Sequence, residues 1–68
     1  MKNKKEILQE FLDSSLENVV RIEIRAGFLQ NEYAKENKQA LLQEMAQLES
    51  NKKETEKWVE YLKDQLSK

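Results

Sequence analysis

The sequence predicts an all-α protein, an antiparallel helical hairpin that assembles into a helical bundle. Three observations support this fold class. The 68 residues include no Pro and a single Gly, apolar residues recur at helical spacing in two stretches of equal length, and the segment between those stretches is polar. The alternative is a three-helix variant of the hairpin. In both cases we expect one helical domain over residues 1–68.

The first predicted helix is marked by an apolar stripe that starts near residue 7. Ser14 and Glu17 have the spacing of a capping box, so a helix could restart there, but the stripe continues past them and favours one continuous helix. Positions separated alternately by four and three residues are typical of a helix that packs along a partner helix. In the first half these positions hold Leu8, Leu12, Ser15, Val19, Ile22, Ala26, Leu29 and Tyr33.

The second predicted helix repeats this spacing. The polar stretch "AKENKQ" between the two series predicts a turn near Glu36–Lys38, with Asn37 the residue best able to adopt the left-handed conformation that ends a helix. Residues 49–57, "ESNKKETEK", contain no apolar side chain, and Asn51 with Glu54 forms another capping-box spacing. A turn near Asn51 would give the three-helix variant. The second series holds Leu41, Met45, Leu48, Lys52, Thr55, Val59, Leu62 and Leu66.

The stretch "VVRIEIRAG", residues 19–27, fits a strand better than a helix on local pattern, because apolar and charged residues alternate from Val20 to Arg25. No second strand-like run exists in the chain, so only another copy could satisfy the strand's backbone hydrogen bonds. The lack of a partner favours a helix. As a helix, residues 19–29 are apolar on two faces, and such a helix needs burial on more than one side.

In the strand alternative, "RIEIR" and the helices after it resemble the ribbon-helix-helix repressors, whose dimers insert a two-stranded ribbon into the major groove. The resemblance implies a DNA-binding dimer that regulates transcription, with Arg21 and Arg25 contacting bases or phosphates. The 18 residues before the ribbon and the net charge of −1 depart from that family. Nucleic acid is therefore the less favoured partner.

The composition argues against an enzyme. No Cys or His is present, which removes thiolate and imidazole chemistry, and the carboxylate pairs at helical spacing are typical of a solvated face in a chain too small to form a cleft. We expect no cofactor, no metal and no small-molecule substrate. Gln9-Glu10 follows Ile7-Leu8 directly, so a signal-peptide apolar region is not expected, and no run is long enough to span a membrane. We expect a cytoplasmic protein.

Binding to another protein remains as the expected function. A chain of this length builds a thin core, so a second copy or a larger protein is expected to cover the remaining apolar surface. The aromatic side chains of the last helix either cover the stripe of the first helix or contact the partner. We expect a small regulatory or adaptor protein of bacterial or phage type, acting as a homodimer or on a larger partner. Its expected partner-binding residues are Val20, Ile24, Phe28, Tyr33, Trp58 and Tyr61.

Overall fold

The computed structural model describes residues 1–68 and contains two α-helices, α1 (Lys4–Lys35) and α2 (Gln39–Leu66). Helix covers 88% of the chain and no strand is present. The two helices pack side by side in opposite directions, forming a rod of 50 × 17 × 16 Å. The predicted helical hairpin is confirmed.

Helix α1 begins at Asn3, whose side-chain Oδ1 accepts a hydrogen bond of 2.9 Å from the backbone N–H of Glu6. This contact satisfies one of the N–H groups that a helix leaves unpaired at its start. The chain then stays helical through Ser14 and Glu17. The continuous helix is confirmed, and the capping-box spacing at Ser14 does not start a new one.

The strand interpretation of residues 19–25 is wrong. These residues lie in the interior of α1, where each backbone N–H bonds within the helix and needs no second copy. The alternation of apolar and charged side chains therefore distributes them around the helix. The ribbon that would have placed Arg21 and Arg25 in a DNA groove does not form.

The turn lies at residues 36–38, as one of the two predicted positions requires. Its geometry differs from the prediction, because no residue has a positive φ and Asn37 is therefore not left-handed. Glu36 and Lys38 are both extended, and the backbone N–H of Lys38 donates to the carbonyl of Glu36 over 2.8 Å. Two extended residues reverse the chain without glycine.

The three-helix variant is wrong, because residues 49–57 are helical throughout. Asn51 does not cap a helix. Its Oδ1 accepts a 3.1 Å hydrogen bond from Gln47 one turn earlier, and its carbonyl accepts another of 2.9 Å from the Thr55 hydroxyl. The polar stretch is a solvated part of α2.

The contact between the helices follows the two predicted series. All sixteen positions are buried or half-buried, including the polar Ser15, Lys52 and Thr55. The one cluster of buried residues in contact is at the open end, away from the turn, where Leu12, Val59 and Leu62 form a core flanked by Leu8 and Leu66. Towards the turn, Ile22 and Leu29 are also buried. Neither helix combines the length and the apolar character needed to cross a membrane.

Candidate protein-binding surfaces

More large apolar side chains are exposed on the surface of the hairpin than are buried in its core. Five apolar residues are buried, whereas ten large ones are exposed. Eight of the ten exposed residues fall into two groups, and Met1 and Leu42 stand apart. We call the first group, Leu16, Val20, Ile24 and Phe28, the α1 ridge. We call the second group, Ile7, Phe11, Trp58 and Tyr61, the aromatic surface.

The α1 ridge runs along α1 from Leu16, at the edge of a groove beside α2, to the outer side of the helix at Ile24. Its members are spaced by four residues, and side chains at this spacing are neighbours on a helix surface. The row extends over about 18 Å, because twelve residues rise by about 1.5 Å each. Ile24, in the middle, is 69% exposed. The ridge is thus a continuous apolar strip that its own chain covers only in part.

The arginines of α1 that border the α1 ridge each have a partner within the chain. Arg21 pairs with Glu17 over 2.9 Å. Arg25 reaches across to Glu44 of α2 over 3.0 Å, and its guanidinium carbon lies 5.3 Å from the centre of the Phe28 ring. These contacts hold Arg25 beside the ridge and leave no unpaired arginine there.

The aromatic surface joins the two helices near the open end of the hairpin. The ring of Trp58 stacks on Tyr61 with centroids 5.7 Å apart and an angle of 18° between the ring planes. Phe11 of α1 meets Trp58 edge to face, with centroids 6.2 Å apart. Trp58 nonetheless stays 44% exposed. The aromatic side chains therefore contact the first helix and also present a broad outer face.

The structure groups five of the six expected partner-binding residues on these two surfaces. Val20, Ile24 and Phe28 share the α1 ridge, and Trp58 and Tyr61 share the aromatic surface. Tyr33 is separate, because it occupies the contact between the helices and is half-buried. Five residues from Phe28, it points in a different direction around α1.

Three members of the surfaces were not among the expected residues: Ile7, Phe11 and Leu16. Their apolar character was visible in the sequence, but it was assigned to the stripe that α2 covers. A signal did exist for Leu16, since it precedes Val20 and Ile24 at the same spacing of four. For Phe11 the deciding fact is its contact with Trp58, which depends on how the two helices align.

No buried side-chain nitrogen or oxygen lacks a hydrogen-bond partner, and no group of three or more carboxylates is close enough to hold a metal ion. The grooves between the helices are open along the side of the hairpin. The widest is lined by Leu16, Val19 and Val59 together with lysines and glutamates of α2.

Comparison with known proteins provides no further guide to the activity of the chain. Any function must therefore be inferred from the two exposed apolar surfaces. No family model, no curated protein and no solved structure matches this chain.

Proposed function

We propose that this chain is a small, non-enzymatic protein-binding protein, a regulator or adaptor that presses the apolar faces of its helices onto a larger partner, alone or as a homodimer. The proposal rests on one observation: ten large apolar residues are exposed, whereas five apolar residues are buried. Scattered exposed apolar residues are normal on a protein, whereas contiguous groups of them mark interaction sites.

The thin core supports the same conclusion. Six of 68 residues are buried, and a domain of this size is only marginally stable when it stands alone. Any molecule that binds the folded state and not the unfolded state adds stability through mass action. Covering the exposed apolar groups would therefore stabilise the hairpin as well as form a complex.

The aromatic surface is the better candidate for contact with a larger protein. Trp and Tyr dominate the binding energy of many interfaces, because they supply a large contact area with few rotatable bonds. Here Trp58 is already positioned by its stacking on Tyr61 and its edge contact with Phe11. A partner would therefore have little side-chain freedom left to restrict on binding.

The proposal is tested with a photoreactive amino acid placed at Tyr61 in cells that produce the protein, with Ser50 on the exposed side of α2 as the control position. We expect a protein adduct from position 61 that is absent from position 50. The partner identified in this way is then purified. Tyr61→Arg should weaken its binding at least tenfold, because a charge replaces an apolar contact, while Ser50→Arg should leave it unchanged.

Circular dichroism of each variant checks that the hairpin is still folded. The proposal fails if position 61 gives no adduct beyond that of position 50. It also fails if Tyr61→Arg and Ser50→Arg bind the purified partner equally well.

A further inference from the structure

We propose that the α1 ridge is covered by the α1 ridge of a second copy, so that two hairpins meet through their first helices in a two-fold symmetric dimer. The inference rests on the proposed function, since it names one protein partner and the surface that receives it. It assigns Leu16, Val20, Ile24 and Phe28 to self-association and leaves the aromatic surface free.

The exposed area of the chain supports a second copy of similar size. The hairpin exposes 5477 Å², whereas a compact monomer of 8.1 kDa exposes about 4,500 Å². The excess of about 1,000 Å² is close to the area of about 800 Å² that each partner buries in a stable interface of ordinary size. One interface of ordinary size between two copies would therefore bury an area similar to this excess.

The spacing of the ridge suits contact with itself. Rows of side chains four residues apart pack into the grooves between the same rows of another helix, with the helix axes crossing at about −50°. A two-fold interface requires the same patch on both partners, and one such row on each α1 meets this condition. Val20 and Ile24 lie at the middle of the row, where two crossing helices approach most closely.

The charges around the ridge fit an uncharged apolar partner better than a strongly charged one. Glu17, Arg21 and Arg25 already have partners within the chain, and so does Glu23, which pairs with Lys52 over 3.4 Å. The charges of α1 beside the middle of the ridge are thus already paired, and the unpaired lysines and glutamates of α2 beside Leu16 are of both signs. The net charge of −1 also produces little repulsion between two copies.

The test compares the full-length chain with Ile24→Glu and with the control Ser50→Glu by sedimentation equilibrium over a wide concentration range. We expect the unmodified chain and Ser50→Glu to sediment as dimers of about twice 8.1 kDa. Ile24→Glu should dimerise at least tenfold more weakly. Because Ile24 is exposed, the glutamate should leave the helix content unchanged in circular dichroism.

A second measurement remains informative if Ile24→Glu fails to fold. The chain has no cysteine, so Ile24→Cys introduces a single thiol in the middle of the ridge. Mild oxidation should link two copies through position 24 and should link Ser50→Cys at least tenfold less. Equal linking at both positions would overturn the inference.

An unmodified chain that stays monomeric at millimolar concentration would also overturn it, whether the ridge then binds a different protein or a lipid surface. So would an Ile24→Glu variant that dimerises as well as the unmodified chain. Failure here is distinct from failure of the proposed function, because the adduct at Tyr61 reports on the aromatic surface and does not depend on the dimer.

Discussion

Residues 19–29 of α1 and residues 49–57 of α2 lie beside each other in the hairpin and differ completely in character. The α1 segment is apolar on two faces, whereas the α2 segment has no apolar residue. One polar contact connects the segments, because Glu23 pairs with Lys52 over 3.4 Å, and next to the α1 segment the Asn18 amide donates to the Thr55 hydroxyl over 3.4 Å. In the middle of the hairpin, apolar side chains of α1 therefore face polar side chains of α2.

The contrast between the two segments indicates which part of the hairpin supplies its stability. Apolar residues of both helices meet at the open end, around Leu12 and Leu62. In the middle of the hairpin, α2 covers one face of α1, and its side chains at this contact are Lys52 and Thr55. The α1 ridge remains exposed. We infer that the open end holds the hairpin together and that the middle of α1 is suited to hold another molecule.

The greatest loss of stability should come from removing a buried side chain at the open end. Leu62 is 0% exposed, so Leu62→Ala removes packed methyl groups and leaves a cavity that costs about 2–5 kcal/mol. We expect this loss to unfold a chain with so small a core. Urea denaturation followed by circular dichroism at one protein concentration measures the change.

Leu42→Ala is the matched control, because Leu42 is 38% exposed and lies outside the core. Its cost should be below about 1 kcal/mol, since little buried area is lost. Equal losses for the two variants would show that the open end is not the source of stability.

The second prediction concerns the contact between the helices in the middle of the hairpin, which a substitution can make apolar like the contact at the open end. Lys52 occupies the contact with α1, and its side chain is 30% exposed. Lys52→Leu should raise the free energy of unfolding by about 1 kcal/mol, because the leucine side chain would bury apolar area near Ile22. This gain should exceed the loss of the exposed ion pair with Glu23, which is worth at most about 1 kcal/mol. Ser50→Leu, on the exposed side of α2, should change it by less than about 0.5 kcal/mol. A loss of stability in Lys52→Leu would argue that the ion pair with Glu23 matters more than packing.

A smaller gain is expected at Gly27, in the middle of α1. Its φ is not positive, and a Cβ added there would meet no atom within 4 Å. Gly27→Ala should therefore stabilise the helix by about 0.5–1 kcal/mol through reduced chain entropy. Ala46→Gly, at an exposed position inside α2, should lose a similar amount. Thermal unfolding at low concentration, where self-association is weak, measures both changes, and a destabilised Gly27→Ala would contradict the open environment.

The smallest effect concerns the charge pair between the helices. Arg25 and Glu44 approach within 3.0 Å, and their side chains are 52% and 44% exposed. A double-mutant cycle with Arg25→Ala and Glu44→Ala should give a coupling of about 0.2–1 kcal/mol. The coupling should fall in 1 M salt, because exposed charges are screened. A coupling that salt does not reduce would mean that the pair is shielded from water.

Much of this fold could be predicted because apolar spacing extends over the whole chain. All sixteen positions of the alternating series are buried or half-buried, including Ser15 and Lys52, whose polar character alone would have placed them outside. The same argument favours one helix through Ser14, but it leaves the turn near Asn51 open, and the structure decides against that turn. A capping box stabilises a helix start by about 1 kcal/mol, whereas interrupting either helix would separate several packed residues.

The surfaces were predictable only in part. Spacing along α1 fixed Val20, Ile24 and Phe28 on one side, since it depends on a single helix. The contact of Phe11 with Trp58 and the pairing of Arg25 with Glu44 depend on how the helices align with each other. Spacing within one helix does not set that alignment. The conformation of Asn37 was missed for a similar reason, because the path between two packed helices decides it.

The only tryptophan of the chain stands on the aromatic surface, about half open to water. Its fluorescence is therefore a label that the molecule already carries. An occupant seated over Trp58 would move the emission towards shorter wavelengths, whereas docking confined to the ridge, which has no indole, would leave the spectrum as it is. One spectrum recorded during a titration would thus reveal which side of the hairpin is engaged.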